Sequence, residues 1–422
     1  MQIAILGHGK EGQSAEKYFL AKNHQVEVFD NFTTDTLSSI DFSHFDLILR
    51  SPSVPPLGFD VHADDNTGYN WSSMTKYFFE HCPCPIIGVT GTKGKGTTCS
   101  MILSIFQELH KKTWLVGNIG TPAIDILDDL KPDHVVIYEM SSFQLWDLEK
   151  SPHVAVILKI EPDHLNIHKD FAEYTAAKGN IAKYQTTKDY CVYYRDNPES
   201  RRLATLSRGT KVAYPIKTDR KILDRVLNML TIPGQHNREN AEAALTAVAS
   251  FYDETIFDFI DTHENELALA MKKFQGLPHR LQFLRELNHV RYYDDNFATN
   301  VASTQVALES FRDEPIILIA GGRDKTDNAD LPEIARLIKK HVTKAVLIGE
   351  SGRELCKLLP EKKWVYANNL QEATFVARVE AEKIAKKQPA ILLMSPAAAS
   401  FDMFENVYDR GTKFQKIVQE LE

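Results

Sequence analysis

The chain has 422 residues, 43% of them hydrophobic and 25% charged, with a formal net charge of −8. That length suits two to four domains with well-formed cores, and without a basic excess to neutralise phosphates no nucleic-acid partner is expected. No apolar run reaches the ~18 residues of a membrane span and the N-terminus lacks a signal-peptide pattern, so the expectation is a cytoplasmic protein with no membrane partner. The five cysteines, at 82, 84, 99, 191 and 356, form neither a paired framework nor a CxxC zinc pattern and read as reduced thiols.

The chain opens on an apolar strand, Ile3-Ala4-Ile5-Leu6, followed by the turn Gly7-His8-Gly9-Lys10-Glu11-Gly12, a helical stretch, and a second strand over 26–29 ending at Asp30. Strand, glycine turn, helix, strand and acid in this order predict a Rossmann-like domain over 1–84, although such a turn does not fix its ligand. After "HCPCP" the pattern starts again: 86–89 read as a short buried strand, "TGTKGKGTT" as a loop and 97–110 as a helix. Gly91, Gly94 and Gly96 let backbone N–H groups face phosphate oxygens, the helix N-terminus adds partial positive charge, and Lys95 adds a full one. A standard phosphate loop carries a hydroxyl where this one has Gly96; Thr97 or Thr98 can supply it.

Downstream, "HVVIYEM", "VAVILKI" and "KDYCVYY" read as strands alternating with helices, and "NRENAEAALTAVASF" as a helix closing a central domain over 85–276. Glu139 falls at the end of the first of these strands, where open α/β sheets bind ligands and a carboxylate suits Mg²⁺. The second is expected to run to Asp163-His164, so that three strand ends deliver Lys95, Glu139 and His164 to one edge. Lys178, in "YTAAKGN", reads from the residues alone as a surface lysine on a helix. The last block, 277–422, holds the strands "VRYYDD", "PIILIAGG", "KAVLIGE" and "AILLMSP", a second, smaller doubly wound unit. The expected fold class is therefore α/β in three domains, Rossmann-like at both ends, with a mostly parallel sheet and a phosphate loop in the centre.

Nine segments in order, "TGTKGKGTT", "GNIGTPAIDIL", "EMSSFQL", "EPDHLNIHKDFAEYTAAK", "PGQHNRENAEAAL", "GLPHRLQF", "DDNFATN", "GGRDK" and "LLMSPAAASFDMFENVYDRG", resemble the Mur ligases over nearly the whole chain. The resemblance implies an ATP-dependent amide ligase of peptidoglycan synthesis, using Mg²⁺ and acting as a monomer. Its substrates are expected to be UDP-N-acetylmuramoyl-L-alanine and D-glutamate. The N-terminal domain would hold the UDP end through Gly9, Lys10, Asp30 and Ser51, with Ser53 replacing the family's glycine. ATP would lie on Gly91, Thr92, Lys93, Gly94, Lys95, Gly96, Thr97 and Thr98, with Asn237, Asn240, Arg280 and Asp295 around it. The metal set would be Thr97, Glu139, His164 and Lys178, the last matching a lysine that the family carries as a carbamate; Lys95, Glu139, His164 and Lys178 would be catalytic. Asn118, Ser141 and Gln144 match residues near the muramoyl group, and Thr299, Lys325 and Ser400 match residues that bind the incoming glutamate. Three positions here depart from the family: Asn296 and Phe297 replace the serine and lysine of "DSKATN", and Val407 stands where an aromatic is frequent.

The GKG loop is also of the folylpolyglutamate-synthase type, against which stand the 84 preceding residues and the "SPAAASFD" tail. A ligase with L-glutamate or a neutral amino acid as acceptor, an NAD-dependent oxidoreductase and a non-catalytic nucleotide-sugar sensor are the other readings.

Overall fold

A computed structural model describes residues 1–30, 40–56, 70–324 and 328–422 and builds them around three sheets. The first contains β1 (Gln2–Leu6), β2 (Gln25–Phe29), β3 (Leu47–Arg50) and β4 (Trp71–Ser73), all parallel, in the order β2-β1-β3-β4. Its central strands are buried along almost their whole length, as the unbroken runs "IAIL" and "LILR" require. The connecting helix Lys10–Ala21 turns Gly12, Ala15 and Phe19 inward. Gly7 takes φ +87°, and a Cβ there would lie 2.2 Å from the Ser51 Oγ, so only glycine fits.

The second sheet holds β5 (Ile86–Thr90), β6 (Thr113–Gly117), β7 (Val135–Glu139), β8 (Val154–Ile157), β9 (Tyr190–Tyr194) and β10 (Thr210–Tyr214). All are parallel, in the order β10-β9-β8-β5-β7-β6. The chain reverses direction across the sheet on either side of β5, which places a ligand crevice at the carboxyl ends of β5, β7 and β8. Both sheets belong to one compact unit, Met1–Met229 with Glu239–Met271. Within it Arg50, at the end of β3 and only 3% exposed, is a clamp. Its Nε and Nη2 each donate to Asp147 at 2.6 Å, Nη1 donates to the Val54 carbonyl at 2.9 Å, and Nη2 also reaches the Phe143 carbonyl at 3.1 Å.

The other unit, Leu230–Arg238 with Lys272–Glu422, contains β11 (Gln282–Leu287), β12 (Val290–Asp294), β13 (Ile316–Gly321), β14 (Lys344–Ile348), β15 (Trp364–Tyr366) and β16 (Ala390–Met394). Their order is β11-β12-β16-β13-β14-β15, parallel except for β11 against β12. Six of these sixteen strands, β3, β4, β6, β10, β11 and β15, go beyond the sequence expectation. Five of the six lie at or next to a sheet edge and carry polar or half-buried residues, which weakens their apolar signature. The helix expected from 97 starts at Lys95 instead, because Gly94 caps it in a left-handed conformation. Among the described residues no helix is long and apolar enough to cross a membrane.

Removing the Arg50 guanidinium leaves Asp147 and two carbonyls without their donor. Arg50→Ala is expected to cost about 2–3 kcal/mol in urea unfolding. A loss under about 1 kcal/mol would show that solvent replaces the clamp.

Candidate functional site

The glycine loop is built between a fully buried strand and a helix. Gly94 takes φ +86°, and a Cβ on it would lie 2.5 Å from the Asn240 Oδ1, which places Asn240 of the helix Gln235–Phe251 directly against the loop. Lys95 opens the helix Lys95–Glu108, and its Nζ donates to the carbonyls of Gly91 at 3.0 Å and Thr92 at 3.2 Å. Lys93 points outward, with its Nζ 3.4 Å from Asp163.

Lys178 is not a surface residue. It lies on the inner face of the helix Phe171–Lys183, is 2% exposed, and donates to the Gly91 carbonyl at 3.1 Å and the Thr90 Oγ1 at 3.3 Å. Ala177 and Gly179 beside it are also buried, so the small-residue helix packs closely enough for the lysine to reach under the loop. Burial lowers the pKa of both amines. The shift at Lys95 is opposed by the charge of Glu139, whereas Lys178 falls well below the ordinary lysine value with the charge of Lys95 adding to its burial.

Glu139 closes β7 and is buried. Its Oε1 accepts from the Asn118 Nδ2 at 3.1 Å, while its Oε2 is buried with no hydrogen-bond partner among the described residues. Gly117 lets the neighbouring strand pass at φ +102°, where a Cβ would lie 2.3 Å from the Glu139 carbonyl. Thr98 likewise has a buried Oγ1 without a partner, and Thr97 is half-buried in the first helical turn. An unpartnered carboxylate oxygen and threonine hydroxyls fit Mg²⁺, which takes few protein oxygens and keeps several waters. Among the described residues no three His, Cys, Asp or Glu side chains gather as a metal group.

His164 departs from expectation. β8 ends at Ile157, not at Asp163-His164. Thr92 of the glycine loop draws the chain out of the sheet: its N–H donates to the Lys159 carbonyl, its hydroxyl donates to the Glu161 carbonyl at 2.9 Å, and Glu161 N donates back to it at 2.8 Å. Asn197 holds Ile160 by both its N–H and its carbonyl. His164 therefore sits in a loop at φ 55°, half-exposed, against the ring of Phe143 at 5.1 Å.

On the N-terminal sheet, Gly9 caps the helix with nothing within 4 Å of a would-be Cβ, Lys10 Nζ donates to the Gly120 carbonyl at 3.2 Å, and His8 N donates to Asp30 at 3.2 Å. The Oγ atoms of Ser51 and Ser53 are 3.0 Å apart. Ser141 and Gln144 form a capping box at the helix Ser142–Leu145, and the Gln144 Nε2 donates to the Glu11 carboxyl at 2.7 Å. Glu11 has no role in the sequence reading. Burial pushes its carboxyl up to about 7, against the opposing pull of Gln144, Arg50 and Lys10. The signal was present in "GHGKEG": an acid inside a turn of the kind that faces phosphates.

In the other unit, Asp295 accepts from Leu281 N at 3.1 Å and the Ser395 Oγ at 2.7 Å, and burial raises its carboxyl to about 7. Phe297 packs edge-on to Tyr408 at 5.1 Å, with the Arg280 guanidinium 5.7 Å above its ring. Asn296 is wholly buried: its Nδ2 donates to the Val407 carbonyl, and its Oδ1 accepts from the Arg410 Nε, both at 2.5 Å. Thr299 is half-buried, Ser400 is buried with an Oγ that has no partner among the described residues, and the Asn237 amide is engaged with the Pro233 carbonyl at 2.6 Å. Lys325 lies outside the described residues.

Comparison with known proteins accounts for this arrangement. The family described as Mur ligase middle domain matches residues 89–248, and Mur ligase, glutamate ligase domain, matches 279–396. The UDP-N-acetylmuramoylalanine--D-glutamate ligase of Acetivibrio thermocellus is 34% identical over 463 aligned positions, covering 100% of this chain and 97% of that protein. Its counterpart in Clostridium kluyveri is 31% identical over 458, with the same coverage. Among solved structures, UDP-N-acetylmuramate-alanine ligase MurC from Thermotoga maritima superposes with a TM-score of 0.58 at 17% identity, covering 99% of each chain. The MurF ligase from Thermotoga maritima, in complex with ADP, gives 0.57 at 13% identity over 99% of this chain and 95% of that one. The chain belongs to the Mur ligase family. It is an ATP-dependent ligase of peptidoglycan synthesis with that family's three-domain α/β fold.

The raised carboxyl of Asp295 makes stability depend on pH. Its folded value of about 7 lies above the ordinary 3.8, so its contribution is complete below that lower value and is lost as pH rises through about 7. Asp295→Asn keeps a neutral side chain of the same shape. Thermal unfolding should find the variant close to the parent at about pH 4 and more stable by over ~1 kcal/mol at about pH 8. A variant equally destabilised at both would show that Asp295 is held for its charge.

Proposed function

We propose that the chain joins D-glutamate to UDP-N-acetylmuramoyl-L-alanine at the expense of ATP, in the cytoplasm. The observation that carries this reading is the end-to-end likeness, at 34% and 31% identity, to ligases bearing that substrate and amino acid in their names. In this reading residues 1–84 hold the UDP end, 85–276 hold ATP, and 277–422 bring the amino acid.

The reaction divides into two displacements. The substrate carboxylate attacks the γ-phosphorus of ATP, releasing ADP and leaving an acyl phosphate. The amine of the incoming amino acid then attacks the acyl carbon, phosphate departs, and the amine gives up a proton as the amide forms. Bringing a carboxylate to a triphosphate is mainly a problem of charge and position. Lys95 at the helix N-terminus meets the β- and γ-phosphates, with Thr92, Lys93 and the loop glycines around them. Glu139, Thr97 and Thr98 are the residues that would hold Mg²⁺, which when bound spreads the negative charge of the phosphates. Lys178, whose pKa burial lowers well below the ordinary lysine value, is the amine suited to carry a carbamate and become anionic toward that cation.

Phe297 makes one wall of the amino-acid pocket apolar and gives no charge to a carboxylate. Glutamate must then rely on Ser400, Thr299 and Lys325, and its KM should be high.

Lys95→Ala should lower turnover at least ~100-fold while leaving the fold intact by circular dichroism; near-normal turnover would dissociate the loop from the chemistry. Lys178→Ala should abolish activity and Lys178→Glu should restore part of it, since glutamate returns an anion. Full activity in both would leave the lysine without a role. Product mass spectrometry with kcat/KM for D-glutamate, L-glutamate and neutral amino acids tests the acceptor, with D-glutamate expected to lead. A neutral amino acid ahead of both would overturn the acceptor and keep the ligase.

A further inference from the structure

We propose that Glu11 is a substrate-binding residue that grips the diphosphate of the nucleotide-sugar substrate, one carboxyl oxygen held by Gln144 and the other offered to a phosphate oxygen. The inference rests on the reading that the turn over 7–12 receives the UDP end.

Glu11 is the second residue of the helix Lys10–Ala21, whose cap Gly9 has open space around it. Its neighbours in the turn are closed off, since a Cβ on Gly7 or Gly12 would strike the Ser51 Oγ or the Gly7 carbonyl. Gln144 is fixed from behind: its Oε1 accepts from the N–H of Ser141 at 2.9 Å and its hydroxyl at 3.2 Å. The amide nitrogen must therefore face Glu11, which it meets at 2.7 Å on Oε1. Among the described residues no hydrogen-bond partner meets the second oxygen.

Three charged or titratable groups face this carboxyl from the elements around it: Lys10 on its own helix, Arg50 at the end of β3 and Tyr138 on β7. Lys10 is turned to the Gly120 carbonyl, Arg50 is committed to Asp147, and Tyr138 is a buried phenol. None is positioned as a counter-ion, which is why burial prevails and the carboxyl reaches about 7. A carboxylate would repel a diphosphate, whereas the protonated acid donates a charge-assisted O–H hydrogen bond to it. Binding above pH ~7 must therefore take up a proton at Glu11.

Calorimetric titration of the full chain with UDP-N-acetylglucosamine tests this, because its diphosphate, esterified on both phosphorus atoms, stays fully ionised across the range. Affinity should fall by as much as ~10-fold per pH unit above about 7, with proton uptake visible as a dependence on buffer ionisation enthalpy. Glu11→Gln, the permanent mimic of the neutral acid, should bind at least as tightly at about pH 8 and lose both effects. A flat pH profile in the parent, or an unchanged slope in Glu11→Gln, overturns the role of Glu11 alone. No binding by either protein at any pH overturns the UDP reading of the turn and this inference with it.

Discussion

Two lysine amines converge on one carbonyl. Lys95 and Lys178 both donate to the oxygen of Gly91, from different helices, in a buried site where Glu139 and Asp163 are the opposing acids. Such an arrangement is costly to form, because each charge loses water and repels the other. The glycine loop makes it possible by turning its carbonyls inward, and Gly94 and Gly117 let the surrounding backbone approach without a clash. The result keeps Lys178 buried, with a pKa well below that of an ordinary surface lysine. The central sheet, the packing of the small-residue helix and the position of Glu139 all serve that one contact.

The sequence made the strand–loop–helix legible, because glycines, a lysine and a helix start at fixed spacing have few other uses. It also placed Glu139 correctly, since "VVIYE" is a continuous apolar run that stops at the acid. Lys178 was legible only through the family resemblance: its neighbours are alanines and glycine, which show no apolar stripe to mark the inner face. His164 was misplaced for the opposite reason. "VAVILKI" stays apolar past Ile157, but Thr92 takes over the backbone hydrogen bonds from Lys159 onward, and no local pattern announces a partner about 70 residues away. The edge strands were lost because half-exposed strands carry little of the alternation that identifies the rest.

In the C-terminal unit, the two departures from the family have different characters. Asn296 is structural: between the Arg410 guanidinium and the Val407 carbonyl it ties the loop after β12 to the start of the last helix. Phe297 is half-buried between Tyr408 and Arg280. Adjacent residues thus differ in character, one fixing the backbone by hydrogen bonds and the other packing through its ring. A buried hydroxyl at Ser400, in the same unit and without a partner among the described residues, is the kind of group that a carboxylate satisfies.

The loop that carries His164 is fastened at both ends. Thr92 and Asn197 hold it at Ile160 and Glu161, and His168 is anchored through its Nε2 to the Ser142 Oγ at 2.9 Å. Within the span the Ile167 and His168 N–H groups both donate to the His164 carbonyl at 3.0 Å, and each residue so fixed gave up about 1–2 kcal/mol of conformational entropy on folding. A ligand that engaged His164 would therefore meet a span already ordered rather than one it must fix. That entropy was given up when the chain folded, so a half-exposed histidine at positive φ could be engaged at little further cost.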